Sequence, residues 1–250
     1  MRAPTSARVR RLFPSSLDGA SELQRELAAL VRAAPLARAP RYVAGADVSY
    51  DRRSDRLYAA VTLFDATSFE LLAVGRHEGR VRFPYVPGYL SYREGPAILA
   101  ALSSLGERPD LLLCDGQGRA HPRRLGLASH LGVALDLPTI GVGKSRLVGS
   151  HRTPGPRRGA TTRLVHRGEL VGLVVRTRDR VRPVYVSVGH LVDLPAARRI
   201  VLAWCRPYRL PDPIRAADRE AARIRLLSAP RSEASGRPTR APRRDGGPDE

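Results

Sequence analysis

A short apolar run, LLLC at residues 111–114, constrains the fold of this chain most, because Asp115 and a Gly-Gln-Gly turn follow it directly. An apolar run of this length without a polar break is typical of a strand that is buried on both faces of a sheet. Open α/β sheets place their active sites at the carboxyl ends of such strands, where a flexible turn follows. The run therefore predicts an α/β fold with a functional edge at Asp115.

Two further polar residues are expected at the same edge. His121 and Pro122 follow the turn and open a segment of helical pattern, with an apolar side between residues 125 and 134. Residues 139–142 read as a second short buried strand, and Lys144 lies just past its end. Asp115, His121 and Lys144 are thus candidates for an acid, a donor and a cation in phosphate chemistry. Taken singly, Asp115 could simply hold a turn or cap a helix, and Lys144 could be a solvated lysine.

The composition favours a polyanionic partner. The 250-residue chain has 43 Lys and Arg against 24 Asp and Glu, a formal net charge of +19. Such an excess is most often found in proteins that bind nucleic acid. No apolar run reaches the roughly 18 residues of a membrane span, and no secretory signal is evident, so a cytoplasmic protein without a membrane segment is expected. We also expect a monomer. Cys114 and Cys205 lie in apolar patterns that predict buried, reduced thiols.

The pattern divides the chain into three parts. Residues 1–15 are basic and have little periodicity, which predicts a flexible N-terminal arm. Residues 16–227 alternate between strand and helix patterns and are expected to form one domain. Residues 228–250 consist largely of Arg, Pro, Gly, Ser and Asp. A segment with so little apolar surface to bury is predicted to be disordered.

The order of predicted elements indicates a particular topology. A helix at 21–33 precedes three strands at 41–50, 57–64 and 71–82, whose short links favour antiparallel hairpins. After a proline-broken loop, helices at 92–105 and from Pro122 alternate with the strands at 111 and 139. A hairpin (162–166 and 170–176), a strand (184–188) and helices at 196–206 and 213–227 complete the order. One mixed sheet flanked by helices, as in ribonuclease-H-like domains, satisfies this order.

In that topology three carboxylates come together. Asp47 lies on the first strand, Glu94 in the first turn of the helix after the hairpins, and Asp115 at the end of the fourth strand, which neighbours the first. Clustered carboxylates raise one another's pKa unless something neutralises them. Bound Mg²⁺ would do so and would support an in-line phosphodiester displacement. The alternative is that these acids pair with the abundant arginines.

A second motif invites a different interpretation. Residues 141–145, GVGKS, resemble the end of a phosphate-binding P-loop. The first glycine of that loop would fall at Pro138, which cannot replace it, and no clear helix follows. Nucleotide hydrolysis is therefore disfavoured.

Five longer stretches resemble the endonuclease V family of repair nucleases. They are AGADVSY (44–50), FPYVPGYLSYREGPAIL (83–99), PDLLLCDGQGRAHPRRLGLASHLGV (109–133), PTIGVGKSRLVG (138–149) and YRLPDPIRAADREA (208–221). The resemblance implies a ribonuclease-H-like fold and Mg²⁺ as cofactor, with Mn²⁺ as a substitute. It also implies cleavage at the second phosphodiester bond 3′ to a deaminated base, chiefly inosine, which leaves a nick with the base in place.

The resemblance also implies roles for individual residues. It assigns Asp47, Glu94 and Asp115 to the metal site and adds Asp218 as a fourth active-site carboxylate. His121 and Lys144 match residues on the phosphate side. A strand-separating wedge corresponds to Pro84, Tyr85, Val86 and Pro87. The base pocket corresponds to Gly88, Leu90, Gly116 and Gly126.

The wedge agrees with physical expectation. Reaching a base in a duplex requires unstacking it, and a rigid loop between prolines with an aromatic tip can fill the gap. The alternative for Tyr85 is a structural tyrosine packed under its loop.

The sequence departs from the family pattern at two places within the domain, and the Arg/Pro-rich tail after Ser228 has no counterpart in that pattern. Gln117 stands where family members often have His, and the residues after His190 read LVDLPAA where a Ser-Leu pair is commoner. Two other functions stay open: an inosine-RNA or branched-DNA nuclease on the same fold, and a non-catalytic nucleic-acid-binding protein. The intact set Asp47, Glu94, Asp115 and Asp218 argues against a pure binder, because such a protein has no need of clustered acids.

Overall fold

A mixed sheet forms the centre of the computed structural model, which describes residues 6–228. Its strands are β1 (Tyr42–Tyr50), β2 (Arg56–Asp65), β3 (Leu71–Arg80), β4 (Leu111–Cys114), β5 (Thr139–Gly143), β6 (Thr161–His166), β7 (Glu169–Val175) and β8 (Val184–His190). The helices are α1 (Ser6–Leu12), α2 (Ala20–Ala29), α3 (Leu90–Ser103), α4 (Leu127–Leu135), α5 (Leu194–Trp204) and α6 (Asp212–Ser228).

The eight strands are ordered β3-β2-β1-β4-β5-β8-β7-β6. The central pairs β1·β4 and β4·β5 are parallel, whereas all other pairs are antiparallel. Every residue of β4 and of β5 is buried, because helices cover both faces of the sheet there. This arrangement confirms the ribonuclease-H-like expectation, including the strand at 111–114 and the placement of the first strand beside the fourth.

The two faces of the sheet have separate cores that follow the period-two alternation of the strands. Leu112 and Cys114 pack with α3 and α4, whereas Leu111 and Leu113 pack with α5 and α6. Asp115 is the next residue in the alternation after Leu111 and Leu113, so it lies on the face of the sheet that α5 and α6 cover. The alternation thus determines which helices lie beside each functional side chain.

Gly45 brings α6 unusually close to β1. A Cβ at Gly45 would lie 2.1 Å from the backbone carbon of Pro213, so only glycine fits there. The Thr62 hydroxyl donates to the Pro213 carbonyl oxygen at 2.8 Å and fixes the start of the helix. As a result, α6 crosses β1 at Gly45, two residues before Asp47.

The prediction of a flexible arm is wrong for residues 6–13. Residues 6–12 form α1, and Phe13 is only 6% exposed, with its ring stacked on that of His130 at a centroid distance of 4.0 Å. A single aromatic residue has no periodicity, so its burial could not be read from the sequence. Residues 1–5 lie outside the described range, as does the predicted disordered tail after Ser228.

Two predicted helix starts are also corrected. Pro122 does not open a helix, because residues 121–124 form a hydrogen-bonded turn and α4 begins at Leu127 after the extended Gly126. The helix α3 begins at Leu90, so Glu94 lies past its first turn. None of the helices between Ser6 and Ser228 combines the length and apolar character that a membrane crossing needs.

Candidate active site

Asp47 and Asp115 lie side by side at the carboxyl edge of the two central parallel strands. Ala46 pairs with Cys114 as the last register pair of β1 and β4, and each aspartate is the next residue of its strand or of the turn after it. The Asp115 amide donates to the Ala46 carbonyl oxygen at 3.3 Å, which holds the turn against β1. The predicted neighbourhood of these two carboxylates is therefore confirmed.

Asp218 joins them from α6. Its side chain lies within hydrogen-bonding reach of the Asp47 carboxyl. Burial raises the pKa of Asp47 to about 8, and the nearby charge of Asp115 and the bond to Asp218 act in the same direction.

Glu94 approaches from the opposite face on α3. Its side chain is 8% exposed, and the Tyr50 hydroxyl donates to Glu94 Oε1 at 2.9 Å. Burial raises the pKa of Glu94 to about 8, although the Tyr50 hydrogen bond opposes the rise. Tyr50 was not singled out by sequence. The alternation along β1 contained the signal, since Tyr50 shares the α3 face with Ala46 and Val48.

Lys144 is paired and not merely solvated. It follows β5, and its ammonium group donates to Asp115 Oδ2 in an ion pair. The side chain of Lys144 is 46% exposed and that of Asp115 is 11% exposed, so the pair bridges solvent and the buried edge. Burial raises the pKa of Asp115, while Lys144 counteracts part of the rise. Desolvation is the largest single influence and lowers the pKa of Lys144, but the carboxylates of Asp115, Asp47 and Asp218 together outweigh it and raise that pKa.

Arg209 holds the backbone under Lys144 and was missed by sequence reasoning. Its guanidinium donates to the carbonyl oxygens of Lys144 at 2.6 Å, of Pro183 at 2.9 Å and of Arg182 at 2.9 Å. These acceptors come from the segment after β5 and the segment before β8. No pattern within the stretch around Arg209 indicates them, because they are brought together only by the β5·β8 pairing.

The carboxylates fit a hard divalent cation in their chemistry. Asp47, Asp115 and Glu94 supply only oxygen ligands, are largely buried, and repel one another, which is the situation that Mg²⁺ relieves. Across residues 6–228, however, no group of three or more His, Cys, Asp or Glu side chains is already arranged around one metal position. In this structure Lys144 pairs with Asp115, and the Tyr50 hydroxyl donates to Glu94.

One cavity of about 340 Å³ adjoins these groups. Its wall combines the predicted wedge, the predicted base pocket and three of the predicted catalytic residues. The lining includes Pro84, Tyr85, Val86, Pro87, Gly88, Leu90, Gly116, Gly126, Asp115, His121 and Lys144. The structure therefore brings together, around a single space, residues that the sequence places in three separate motifs.

The wedge loop is anchored at its base and free at its tip. Phe83 is buried beside Tyr92, with a centroid distance of 5.3 Å, whereas Tyr85 is 76% exposed. The guanidinium of Arg93 lies 6.0 Å from the centre of the Tyr85 ring. The alternative of a tyrosine packed under its loop is therefore wrong.

His121 is a donor, but its partner here is the protein. Its ring is 3% exposed, Nε2 lies 3.0 Å from the Gly88 carbonyl oxygen, and Nδ1 accepts from the Arg123 amide at 3.2 Å. Because a carbonyl can only accept, Nε2 holds the proton. Burial, helped by the charge of Arg123, lowers the pKa of His121 to about 4, so the ring is neutral. Because both ring nitrogens of His121 have partners in the protein, His121 holds the cavity wall in place and has no free nitrogen to bind a phosphate.

Two residues at departures from the family pattern have structural partners. Gln117 is buried, and its Nε2 donates to the Ser145 carbonyl oxygen at 3.0 Å, which supports the turn after β5. His190 is buried at the end of β8, where its Nδ1 accepts from the Arg32 amide at 3.2 Å. It does not line the cavity.

A ribonuclease-H-like sheet with clustered carboxylates, a paired lysine and an adjoining cavity at its parallel edge defines a phosphodiester hydrolase, a nuclease. The family profile of endonuclease V matches residues 25–219. The chain is 49% identical over 214 residues to endonuclease V of Roseiflexus sp. (strain RS-1), covering 86% of this chain and 96% of the relative. The chain therefore belongs to the endonuclease V family.

Solved structures agree with this assignment. Endonuclease V of Streptomyces avermitilis has a TM-score of 0.82 and 43% identity, covering 86% of this chain and 95% of that one. Endonuclease V of Ciona intestinalis, solved with a 24mer DNA that contains an inosine followed by a ribo-adenosine, has a TM-score of 0.71 and 25% identity. That likeness covers 82% of this chain and 96% of the Ciona chain.

Proposed function

We propose that this protein is a metal-dependent DNA repair endonuclease that nicks a strand at the second phosphodiester bond 3′ to deoxyinosine or a related deaminated base. The observation on which the proposal rests is the shared cavity, in which the exposed wedge and the glycine-rich walls lie next to Asp115 and Lys144. The inosine-containing DNA bound by the Ciona relative supports the choice of substrate.

The cavity would receive the damaged base after it leaves the helix. Tyr85 stands clear of the protein surface and can stack in the gap that the base leaves. Gly88, Gly116 and Gly126 bring backbone rather than side chains to the wall, so a flat base can lie against peptide groups. His121 maintains this shape through its hydrogen bond to the Gly88 carbonyl oxygen.

The carboxylates would hold the catalytic cation. Asp47 and Asp115, with Glu94 from α3, are the proposed ligands of Mg²⁺ or Mn²⁺, and Asp218 lies beside Asp47 as a fourth carboxylate. When bound, such a cation activates water and stabilises the charge of an in-line displacement. Lys144 is half-exposed and can turn its ammonium group from Asp115 to a substrate phosphate, while Arg209 fixes its backbone.

The proposal is tested with a duplex that contains one deoxyinosine, labelled at either end and mapped at nucleotide resolution. Nicking is expected only with Mg²⁺ or Mn²⁺ and only in the strand that contains the inosine. The cut should fall at the second phosphodiester bond 3′ to the inosine. An undamaged duplex, inosine-containing RNA and a branched DNA are run in parallel. Faster cleavage of the RNA or the branched DNA, or equal cleavage of undamaged duplex, would reject inosine DNA as the preferred substrate.

A further inference from the structure

A second basic concavity lies behind the wall of the active-site cavity. It has a volume of about 560 Å³ and lies between α2, the 119–124 turn segment and the turn between β6 and β7. Its polar lining consists of five arginines: Arg25, Arg119, Arg123, Arg124 and Arg167. We call it the arginine groove.

The arginine groove keeps an excess of positive charge. Glu22 pairs with Arg25 at 3.1 Å, and Glu169 accepts from Arg119 and from Arg124, each at 2.7 Å. Arg123 donates to neutral acceptors, the side chain of Gln24 and the carbonyl oxygen of Gly88. Five arginines against two carboxylates leave three positive charges. A groove with this excess attracts anions, and guanidinium groups match phosphate oxygens in shape.

The arginine groove and the candidate active site share one hydrogen-bond acceptor, the carbonyl oxygen of Gly88. The Gly88 carbonyl oxygen accepts from His121 Nε2 at 3.0 Å and from Arg123 Nη2 at 2.9 Å. Gly88 and His121 line the active-site cavity, whereas Arg123 lines the groove. A polyanion that enters the cavity therefore has a basic path along the next segment of the surface.

We propose that the arginine groove binds the phosphate backbone of the DNA substrate beside the damaged site, through contacts that do not depend on sequence or damage. The proposal deepens the proposed function, because it assumes that DNA occupies the cavity. Arg25 and Arg167 line the groove, are exposed, and do not line the active-site cavity. They are the residues whose removal changes the groove with least disturbance of the catalytic edge.

The test compares Arg25→Ala/Arg167→Ala with a matched control, Arg157→Ala/Arg199→Ala. The control removes the same charge from exposed arginines, one on α5 across the sheet and one in the loop before β6. Binding of an undamaged and an inosine-containing duplex is measured by fluorescence anisotropy without divalent cation, over a series of salt concentrations. Melting temperatures verify that both variants fold.

The salt dependence is expected to report the lost phosphate contacts. Each arginine that leaves a phosphate should reduce the slope of log Kd against log salt by about 0.9, so the groove variant should lose about 1.8. Its affinity deficit should shrink about tenfold between roughly 50 mM and 200 mM salt. The control should keep the wild-type slope. An unchanged slope in the groove variant, or an equal loss in the control, overturns the proposal.

Failure of this inference can be told from failure of the proposed function. The slopes are read on undamaged as well as inosine-containing duplex, so they have meaning even if inosine is not the substrate. Conversely, when the groove variant is present at a saturating concentration, its single-turnover nicking rate should match that of the wild-type protein. A wild-type protein that nicks inosine DNA while the slopes coincide would reject the groove alone.

Discussion

The guanidinium of Arg209 donates to the carbonyl oxygen of Lys144 at 2.6 Å, although the two residues are 65 positions apart. The same side chain ties the segment before β8 to this point, and the ammonium group of Lys144 pairs with Asp115. Arg209 is therefore a positioning residue, which acts on the chemistry through the place of Lys144.

Arg209→Ala is expected to lower kcat for inosine nicking by about tenfold to a hundredfold, because a displacement of about 1 Å in a catalytic group can have that effect. KM should change little, since Arg209 does not line the cavity. Single-turnover rates and melting temperatures are measured together. Arg209→Lys should restore part of kcat by keeping one donor. Wild-type kcat in the alanine variant would show that Lys144 is placed without Arg209.

Asp115→Ala and Asp47→Ala should each abolish nicking while keeping binding to inosine-containing DNA. Both substitutions remove an oxygen ligand of the proposed cation and add no negative charge that would repel the DNA. Anisotropy without divalent cation measures binding, and gel analysis with Mg²⁺ measures nicking. Robust Mg²⁺-dependent nicking by either purified variant contradicts the proposed metal site.

The stability of the metal-free protein should fall as pH rises from about 4 to about 8. The folded pKa values of Asp47 and Glu94, each about 8, lie above the ordinary values of 3.8 and 4.5. Groups with a raised folded pKa stabilise the fold fully below the ordinary value, and this stability is lost as pH passes through the folded value. The melting temperature is expected to drop over this range, because each kcal/mol of stability that is lost lowers it by about 2–4 °C in a domain of this size.

Two comparisons make this pH dependence specific. Asp47→Asn mimics the protonated carboxyl and should flatten the profile. Mg²⁺ should raise the melting temperature more at about pH 9 than at about pH 6, because it binds the ionised carboxylates. Differential scanning fluorimetry with Mg²⁺ or EDTA gives both results. A Mg²⁺ effect that is equal at both pH values, or a profile unchanged by Asp47→Asn, would show that these carboxyls do not govern it.

Tyr85→Ala should weaken binding to inosine-containing duplex by about tenfold to a hundredfold, because base–aromatic stacking is worth roughly 1–3 kcal/mol. The melting temperature should not change, since the side chain is 76% exposed. The defect should shrink on single-stranded inosine DNA, and Tyr85→Phe should be milder because stacking needs the ring. Equal losses on duplex and single strand would mean that Tyr85 does not separate strands.

The sequence alone determined the centre of the fold and the first pair of the site. The apolar run at 111–114 and the three preceding strands left one sensible topology, and the neighbourhood of Asp47 and Asp115 followed from it. These are consequences of local periodicity and of the rule that parallel neighbours share an edge. For Tyr85 the sequence left both a wedge and a packed tyrosine open, and its exposure was decided by the structure.

Only the tertiary structure decided how the polar groups are paired. Three contacts join segments that are far apart in the chain: the Phe13 ring stacks on His130, His121 bonds to the Gly88 carbonyl oxygen, and Arg209 donates to the Lys144 carbonyl oxygen. The five arginines of the groove likewise come from three separate segments of the chain. The physical reason is that hydrogen bonds and ion pairs depend on distances of a few ångströms between segments, whereas periodicity reports only which face of a strand or helix a residue occupies.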